Sequence, residues 1–452
     1  MEDTIVAIST ASGVGAISII RLSGPNALEV ASSILKGKDL KKVASHTINH
    51  GYIIDKNGSI IDEVLVSVML APKTYTTEDI VEINTHGGIA STNKVLELCL
   101  VNGARLAQPG EFTKRAFLNG RIDLTEAEAI EDVITSSTDK SLRLSMNQLT
   151  GSLKNLITEI RKDIMSLIAN IEVNIDYPEY EDAEDITLQK LKEKLLPIKS
   201  KLEELLKNSN DAKIIKDGIN ICMIGRPNVG KSSLLNAFLE EDKAIVTDIA
   251  GTTRDIVEGE TIINGIKINF LDTAGIRKTA NVVEKIGVDK SKKIINMADL
   301  IILVLNNNEK LTPDDLELLE LVKNKNYIIF VNKNDLPANL DLPDKKYANV
   351  VYGNTLTTTG IKELKEMITT LFNLEKISTN DATYITNARH KALIEVALNY
   401  LNSALENIDN SYSVDMLEID IRACWDTLGE IIGATYKDEL LDELFSNFCL
   451  GK

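Results

Sequence analysis

The stretch Gly225-Arg226-Pro227-Asn228-Val229-Gly230-Lys231-Ser232 constrains this chain more than any other. It fits G-x-x-x-x-G-K-[ST] and joins an apolar run, Ile219 to Ile224, to a helical pattern, Ser233 to Leu239. Strand, glycine-bearing turn and helix in that order are the start of an α/β layer. In such a turn successive backbone N–H groups wrap a phosphate at the positive end of the helix. Lys231 then reaches the β/γ-phosphates and the Ser232 hydroxyl ligates Mg²⁺, with Val229, Gly230 and Ser233 completing the cradle.

Three further elements follow in order. Asn332-Lys333-Asn334-Asp335 succeeds the apolar run Tyr327 to Val331. Asp335 can accept two hydrogen bonds, from N1–H and the exocyclic amine of guanine. Adenine offers no such pair, so a buried carboxylate here selects GTP over ATP. Asp272-Thr273-Ala274-Gly275 follows Ile268 to Leu271 and supplies a carboxylate for the Mg²⁺ shell and an N–H for the γ-phosphate. Between the phosphate loop and Asp272 runs a polar switch-type loop, Gly251-Thr252-Thr253-Arg254-Asp255, with Thr253 as the metal-sensing hydroxyl and the preceding Thr247-Asp248-Ile249-Ala250 as further nucleotide contacts. Together these four elements specify a GTPase.

The catalytic set is incomplete. Many small GTPases place a glutamine after the glycine of the Asp-x-x-Gly element to orient water; here the position is Ile276, which cannot hydrogen-bond through its side chain. Glu284, a few residues on, is a candidate to hold a bridging water. Arg254, Arg277 and a bound monovalent cation are all candidates for the missing positive charge. Asn228 offers a carbonyl oxygen inside the phosphate loop, and oxygen ligands suit hard cations. Carbonyls of Thr247 to Thr252 would close such a cage. Arginine and cation both remain open on the residues alone.

With 452 residues the chain is expected to form two to four domains. No apolar run approaches the roughly 18 residues that span a bilayer, and the acidic start Met1-Glu2-Asp3 is unlike a signal peptide, so a cytosolic location is expected. Cys99, Cys222, Cys424 and Cys449 form no C-x-x-C, and His46, His50, His86 and His390 lack ligand spacing; neither a disulfide framework nor a zinc site is expected. The net charge of −17 excludes a broad basic footprint for nucleic acid, so any RNA contact is local or shared with a partner.

Residues 1–118 alternate β-rich runs (Ile5 to Ile8, Ala16 to Leu22, Glu63 to Leu70, Ile80 to Ile83) with turns and one helix near Ser91 to Val101, an α+β pattern. Gly13 and Gly15 read as a tight turn, not a dinucleotide loop. Residues 119–213 are helical, with Leu191, Leu195, Ile198, Leu202 and Leu205 in helical spacing and a kink or helix start expected at Pro197. Asp176 to Asp182 reads as an acidic loop. Residues 214–378 form the α/β nucleotide domain, and helices return over 379–452. The fold class is therefore multidomain α/β plus α: an N-terminal α+β domain and a helical domain into which a P-loop GTPase (Ras-like α/β) domain is inserted.

Outside the nucleotide elements, three motifs carry a family resemblance. They are Thr76-Thr77-Glu78-Asp79-Ile80-Val81-Glu82-Ile83-Asn84-Thr85-His86-Gly87-Gly88, Pro109-Gly110-Glu111-Phe112-Thr113-Lys114-Arg115-Ala116-Phe117-Leu118-Asn119-Gly120, and the terminal Phe448-Cys449-Leu450-Gly451-Lys452. Over essentially its whole length the chain resembles the tRNA-modification GTPase family MnmE (TrmE). The resemblance implies a tetrahydrofolate-binding-like N-terminal domain that homodimerises, and a G domain that dimerises through its switch face with potassium and GTP. It also implies work with an FAD-dependent MnmG-type partner, as a heterotetramer, on C5 of the wobble uridine (U34) of certain tRNAs. The product is a carboxymethylaminomethyl-type group, with 5-formyl-tetrahydrofolate or a related one-carbon tetrahydrofolate as cofactor beside GTP, Mg²⁺ and K⁺. No membrane role is implied.

By the same resemblance Asn228, Thr247, Ile249 and Thr252 match potassium ligands, Ser232 and Thr253 match Mg²⁺ ligands, and Glu284 matches the acid that orients the hydrolytic water. Arg21, Glu82, Arg121 and Lys452 match folate contacts. That set has chemical sense: cations suit a glutamate tail and a carboxylate suits the donor face of a pterin. Arg121 stands where some members carry lysine, Leu450 where isoleucine is usual, and Asn354-Thr355 replaces a Ser-Ala guanine-lid element. With that replacement a backbone N–H is still expected to reach guanine O6. Cys449 matches a family cysteine with a proposed role, against the plain alternative of a small packed residue. A regulatory GTPase of ribosome assembly is the competing reading; a folate-using aminomethyltransferase is a weaker third.

Overall fold

Period-two alternation in the N-terminal segment builds a mixed seven-stranded sheet. Its strands are β1 (Ile5–Ile8), β2 (Ile17–Ser23), β3 (Leu35–Gly37), β4 (Thr47–Ile54), β5 (Ile60–Met69), β6 (Ile80–His86) and β7 (Arg105–Leu106), in the order β3-β4-β5-β6-β2-β1-β7. Only the β1–β7 pairing is parallel. The computed structural model describes residues 3–176, 187–241, 257–271, 294–342, 347–375 and 384–452. The chain falls into two units, one of Met1–Glu131, Gln148–Ser200 and Ala392–Lys452 and one of Asp132–Asn147 and Lys201–Lys391.

In the first unit, one sheet face presents Ile20, Leu22, Val64, Val66, Val81 and Ile83 to the helices Ala27–Ile34 and Ile89–Val101, which bury Val30, Ile34 and Val95 against it. Alternation sends the other side chains to the opposite face. Register there lines up Arg21, Glu82, Ser67 and Ile48 in one row and Ile19, Asn84, Leu65 and His50 in the next. Ile17, Ile48 and Leu65 of that face stay open to solvent. Gly13 and Gly15 lie in the connection between β1 and β2, where Gly15 N–H donates to Gly87 O at 3.0 Å.

The helices Ser152–Asp176 and Val414–Ile432 of this unit pack together. Gly429 leaves room for Arg161, whose guanidinium lies 4.0 Å from the Trp425 ring centroid. The helix Leu188–Lys207 runs through Pro197, so no helix starts there. Its five expected apolar residues, Leu191 to Leu205, are all buried, and that burial outweighs the missing N–H bond. Of the expected acidic loop, residues 177–182 lie outside the described residues. The C-terminal helix Asp438–Ser446 sets Leu441 and Phe445, with Phe448 just beyond its end, against Phe117 and Leu124. Gly110 makes this approach possible: its φ is +68, and a Cβ there would sit 2.6 Å from Phe445 O.

The second unit holds a six-stranded sheet of β8 (Ile219–Ile224), β9 (Val257–Ile263), β10 (Ile266–Leu271), β11 (Leu300–Asn306), β12 (Tyr327–Asn332) and β13 (Val350–Tyr352), ordered β13-β12-β11-β8-β10-β9. Every pairing but β9–β10 is parallel. The strands read as continuous apolar runs because both faces are covered. From β8, Ile219, Ile221 and Met223 pack with Phe238, Ile361 and Leu364 on one side, while Cys222 and Ile224 pack with Leu319 and Val322 on the other. The chain leaves β8 toward β10 on one flank and reaches β11 on the other. The carboxyl end of β8 is thus a topological switch point, the usual place for a ligand in an open α/β sheet.

Candidate functional site

The phosphate loop occupies that switch point, and its conformation follows from a few residues. Gly225 (φ +148) passes so close to β11 that a Cβ would lie 2.5 Å from Val304 O. Asn228 takes the left-handed conformation at φ 64, which asparagine tolerates. Gly230 (φ +103) must be glycine, because a Cβ there would lie 2.2 Å from Asn332 Nδ2. The helix Lys231–Glu241 then begins, with Lys231 half-buried and Ser232 and Ser233 both exposed in its first turn. Lys231 Nζ donates to the carbonyls of Gly225 at 2.6 Å and Arg226 at 2.7 Å, which holds its ammonium over the loop.

The guanine-side residues meet this loop directly. Asn332, at the end of β12, is 1% exposed. Its Nδ2 donates to Val229 O at 2.8 Å and its Oδ1 accepts from Thr355 N–H at 3.1 Å. Asn332 therefore joins the phosphate loop to the lid segment instead of facing solvent. Lys333 (φ 61) extends Nζ to Asn228 O at 3.4 Å. Asp335 is exposed, not buried as expected, because it sits on a loop beyond the strand end. In the lid, Leu356 N–H donates to Asn354 Oδ1 at 2.8 Å. The N–H groups of both Thr355 and Leu356 are thus engaged internally, so either would contact guanine O6 only by exchanging its partner.

Sequence reasoning missed Arg226. Its Nε donates to Asp315 Oδ1 at 2.9 Å and its Nη2 to Glu309 Oε2 at 2.6 Å. Asp315 is also the reciprocal partner of Thr312 in the capping box of the helix Pro313–Val322. Arg226 thereby ties the phosphate loop to a helix start, and its guanidinium holds the Glu309 carboxyl below the usual range. Arginine inside a phosphate loop gives no sign in the sequence of which acids it will meet.

In the first unit the four folate-matched residues come together. Arg21 and Glu82 are cross-strand partners with Nε–Oε1 at 2.8 Å. Arg21 Nη1 also donates to Gly451 O at 3.1 Å, drawing the chain's last residues onto the sheet. Gly451 (φ +88) allows this, since a Cβ would lie 2.6 Å from Ile8 O. The Arg21 and Arg121 guanidinium carbons lie 5.8 and 4.9 Å from the centroid of the same ring, Tyr75. Tyr75 itself is fixed by a 2.8 Å bond to Thr113. Burial and then the Arg21 charge hold the Lys452 ammonium below the usual lysine range. Cys449 is exposed in the same segment, while burial pushes the Cys99, Cys222 and Cys424 thiols up to about 12.

Most other residues of the hallmark motifs build the scaffold around this cluster. Arg115 is fully buried and reaches Glu78 at 3.1 Å, Glu111 at 3.1 Å and Asp3 at 2.8 Å. Asn119 Nδ2 donates to Thr76 O at 2.7 Å. His86 Nδ1 meets the Oδ1 of buried Asp62 at 2.6 Å, and that bond raises the imidazole's pKa above its ordinary value.

Thr247, Asp248, Ile249, Ala250, Gly251, Thr252, Thr253, Arg254, Asp272, Thr273, Ala274, Gly275, Ile276, Arg277 and Glu284 lie outside the described residues. Among the described residues no helix is long and apolar enough to cross a membrane.

Comparison with known proteins covers the whole chain. A model described as the MnmE helical domain matches residues 124–449, and one described as the N-terminus of the GTP-binding protein TrmE matches residues 4–121. The tRNA modification GTPase MnmE of Ligilactobacillus salivarius is 50% identical over 455 residues, which span 100% of this chain and 98% of that protein. Its counterpart in Streptococcus pyogenes is 53% identical over 452 residues, with 100% and 98% coverage. Among solved structures, Aquifex aeolicus Era bound to GDP.AlF4- is similar at 29% identity and a TM-score of 0.28, covering 40% of this chain and 66% of that one.

Proposed function

This chain belongs to the MnmE family of tRNA modification GTPases, and from that premise we propose that it is a potassium-activated GTPase modifying C5 of the wobble uridine of certain tRNAs. It does so in the cytoplasm, as a homodimer and with an FAD-dependent MnmG-type partner. Its domains divide as 1–118, 119–213, 214–378 and 379–452.

The observation that carries the hydrolytic part is the phosphate loop at the β8 switch point. Lys231 is held over the loop by two carbonyls and is placed to turn to the β/γ-phosphates. Ser232, at the first turn of its helix, fits a Mg²⁺ ligand with Thr253 as the second. The exposed Asn228 amide, on a left-handed residue of the loop, presents a carbonyl oxygen that fits a hard monovalent cation beside Thr247, Ile249 and Thr252. Potassium bound there supplies positive charge that the site lacks with Ile276 in the glutamine position. Glu284 orients the attacking water. Two G domains that meet through their switch faces shield this charge from solvent.

The folate part rests on the gathering of Arg21, Glu82, Arg121 and Lys452 around Tyr75 and the C-terminus. Arg21 fixes the Glu82 carboxylate, which is suited to the donor edge of a pterin, while the flanking cations suit the carboxylates of the tail. A bound tetrahydrofolate supplies the one-carbon unit. The solvent-open apolar residues Ile17, Ile48 and Leu65 on the same sheet face support a second copy of the chain as its cover.

Nucleoside analysis of tRNA tests the proposal. Cells lacking this chain should lose the wobble C5 modification and regain it with wild-type protein but not with Gly230→Ala. Normal modification in the deletion strain, with GTP-dependent co-sedimentation on ribosomes, would instead support an assembly switch.

A further inference from the structure

Tyr75 and Arg121 face two places at once. On one side they complete the cluster of Arg21, Glu82 and Lys452; on the other they wall a cavity of about 500 Å³ that is also lined by His46, Lys73, Thr77 and Asn119. This volume lies within the range of small-molecule sites.

The charge in this cavity is unbalanced. Lys73 and Arg121 are both exposed, and neither forms an ion pair among the described residues. Nearby acids are engaged elsewhere. Glu78 meets Arg115 at 3.1 Å, Asp79 accepts from Ala71 N–H at 2.9 Å, and Glu82 meets Arg21 at 2.8 Å. Two wall residues, His46 (φ 60) and Thr77 (φ 63), hold left-handed backbone, which is rare for the β-branched Thr77 and of a kind that clusters at ligand sites. The Arg121 guanidinium, 4.9 Å from the Tyr75 centroid, keeps its forked donors for a carboxylate.

Resting on the folate reading above, we propose that this cavity takes the γ-glutamyl tail of a polyglutamylated tetrahydrofolate. The ring system lies on the Arg21–Glu82 side, the first glutamate meets Arg121, and the α-carboxylates of later glutamates reach Lys73. Each γ-linked residue adds one carboxylate, so a longer tail meets more of the cavity's cations. The ligand class of the site is therefore the polyglutamate form rather than the monoglutamate.

Isothermal titration of the full-length protein with 5-formyl-tetrahydrofolate, as monoglutamate and as γ-linked triglutamate, tests this. The triglutamate should bind roughly 3- to 10-fold tighter, as expected for one or two exposed charge pairs, and the gain should shrink in about 0.5 M salt. Lys73→Gln should abolish the gain and leave monoglutamate affinity within about 2-fold. A short RNA of equal charge should not displace the triglutamate. Equal affinity for both folates, a gain that survives Lys73→Gln, or displacement by that RNA would overturn the tail site while the folate reading stands. Binding of neither folate would overturn both.

Discussion

Asn332 Nδ2 donates to the Val229 carbonyl at 2.8 Å, and this bond joins two loops 103 residues apart in sequence. It is why the second glycine of the phosphate loop has no room for a side chain. Gly230→Ala places a methyl group 2.2 Å from the same Nδ2 on a residue with φ +103. The left-handed backbone alone costs about 1–2 kcal/mol, and the clash forces the two loops apart. GTP affinity should fall at least roughly 30-fold, while the far-UV circular dichroism spectrum stays that of a folded chain. Titration with a fluorescent GTP analogue measures this.

Arg226→Ala removes the tether between the phosphate loop and the helix Pro313–Val322. Asp315, 1% exposed, then loses a charged partner. Removal of one partner of a buried hydrogen-bonded charge costs about 1–3 kcal/mol. A lower thermal midpoint and weaker nucleotide binding should appear together, and GTP should restore part of the midpoint. Differential scanning fluorimetry with and without GTP reads both.

Arg115→Met leaves Glu78 without its cation inside the N-terminal unit and Glu111 with only its pair to Arg105. Breaking a buried ionic network by removing one member costs about 3–5 kcal/mol. Denaturant unfolding should show that loss, whereas Lys114→Met, which removes a partly exposed pair to Asp442, should stay within about 1 kcal/mol.

The His86–Asp62 pair makes a pH prediction. The Asp62 hydrogen bond and charge raise the folded pKa of His86 above 6.5. The charged pair therefore adds stability below the unfolded pKa and loses it as pH rises through the folded value. The His86 NMR titration midpoint should fall in Asp62→Asn, and the difference in stability between the two proteins should narrow as the pH is raised from 6 to 9 (about the span of the titration).

The nucleotide half of the fold was legible because its signals are local. β8, the glycine turn and the helix start follow one another within a few residues, and apolar runs marked β10 and β12. β1 matched its expected span at Ile5–Ile8, and β2 and β6 fell within a few residues of theirs. β4 was missed because Asn49, His50 and Gly51 interrupt its apolar alternation, which only pairing with β5 rescues. The helices Ala27–Ile34 and Glu111–Leu118 are too short for periodicity to declare them. Site geometry was less legible. Arg21 meets Glu82 across a strand pairing and Gly451 from the far end of the chain, and no local pattern encodes either distance. The same holds for Arg226 with Asp315.

The most direct test of the account is the steady-state rate of GTP hydrolysis by the purified protein in potassium and in sodium at equal ionic strength. The account predicts faster turnover in potassium, by at least roughly 10-fold, equal to about 1.4 kcal/mol of barrier, and loss of that difference in Asn228→Ala with GTP binding retained. Equal rates in the two salts, or full potassium stimulation in Asn228→Ala, would contradict it.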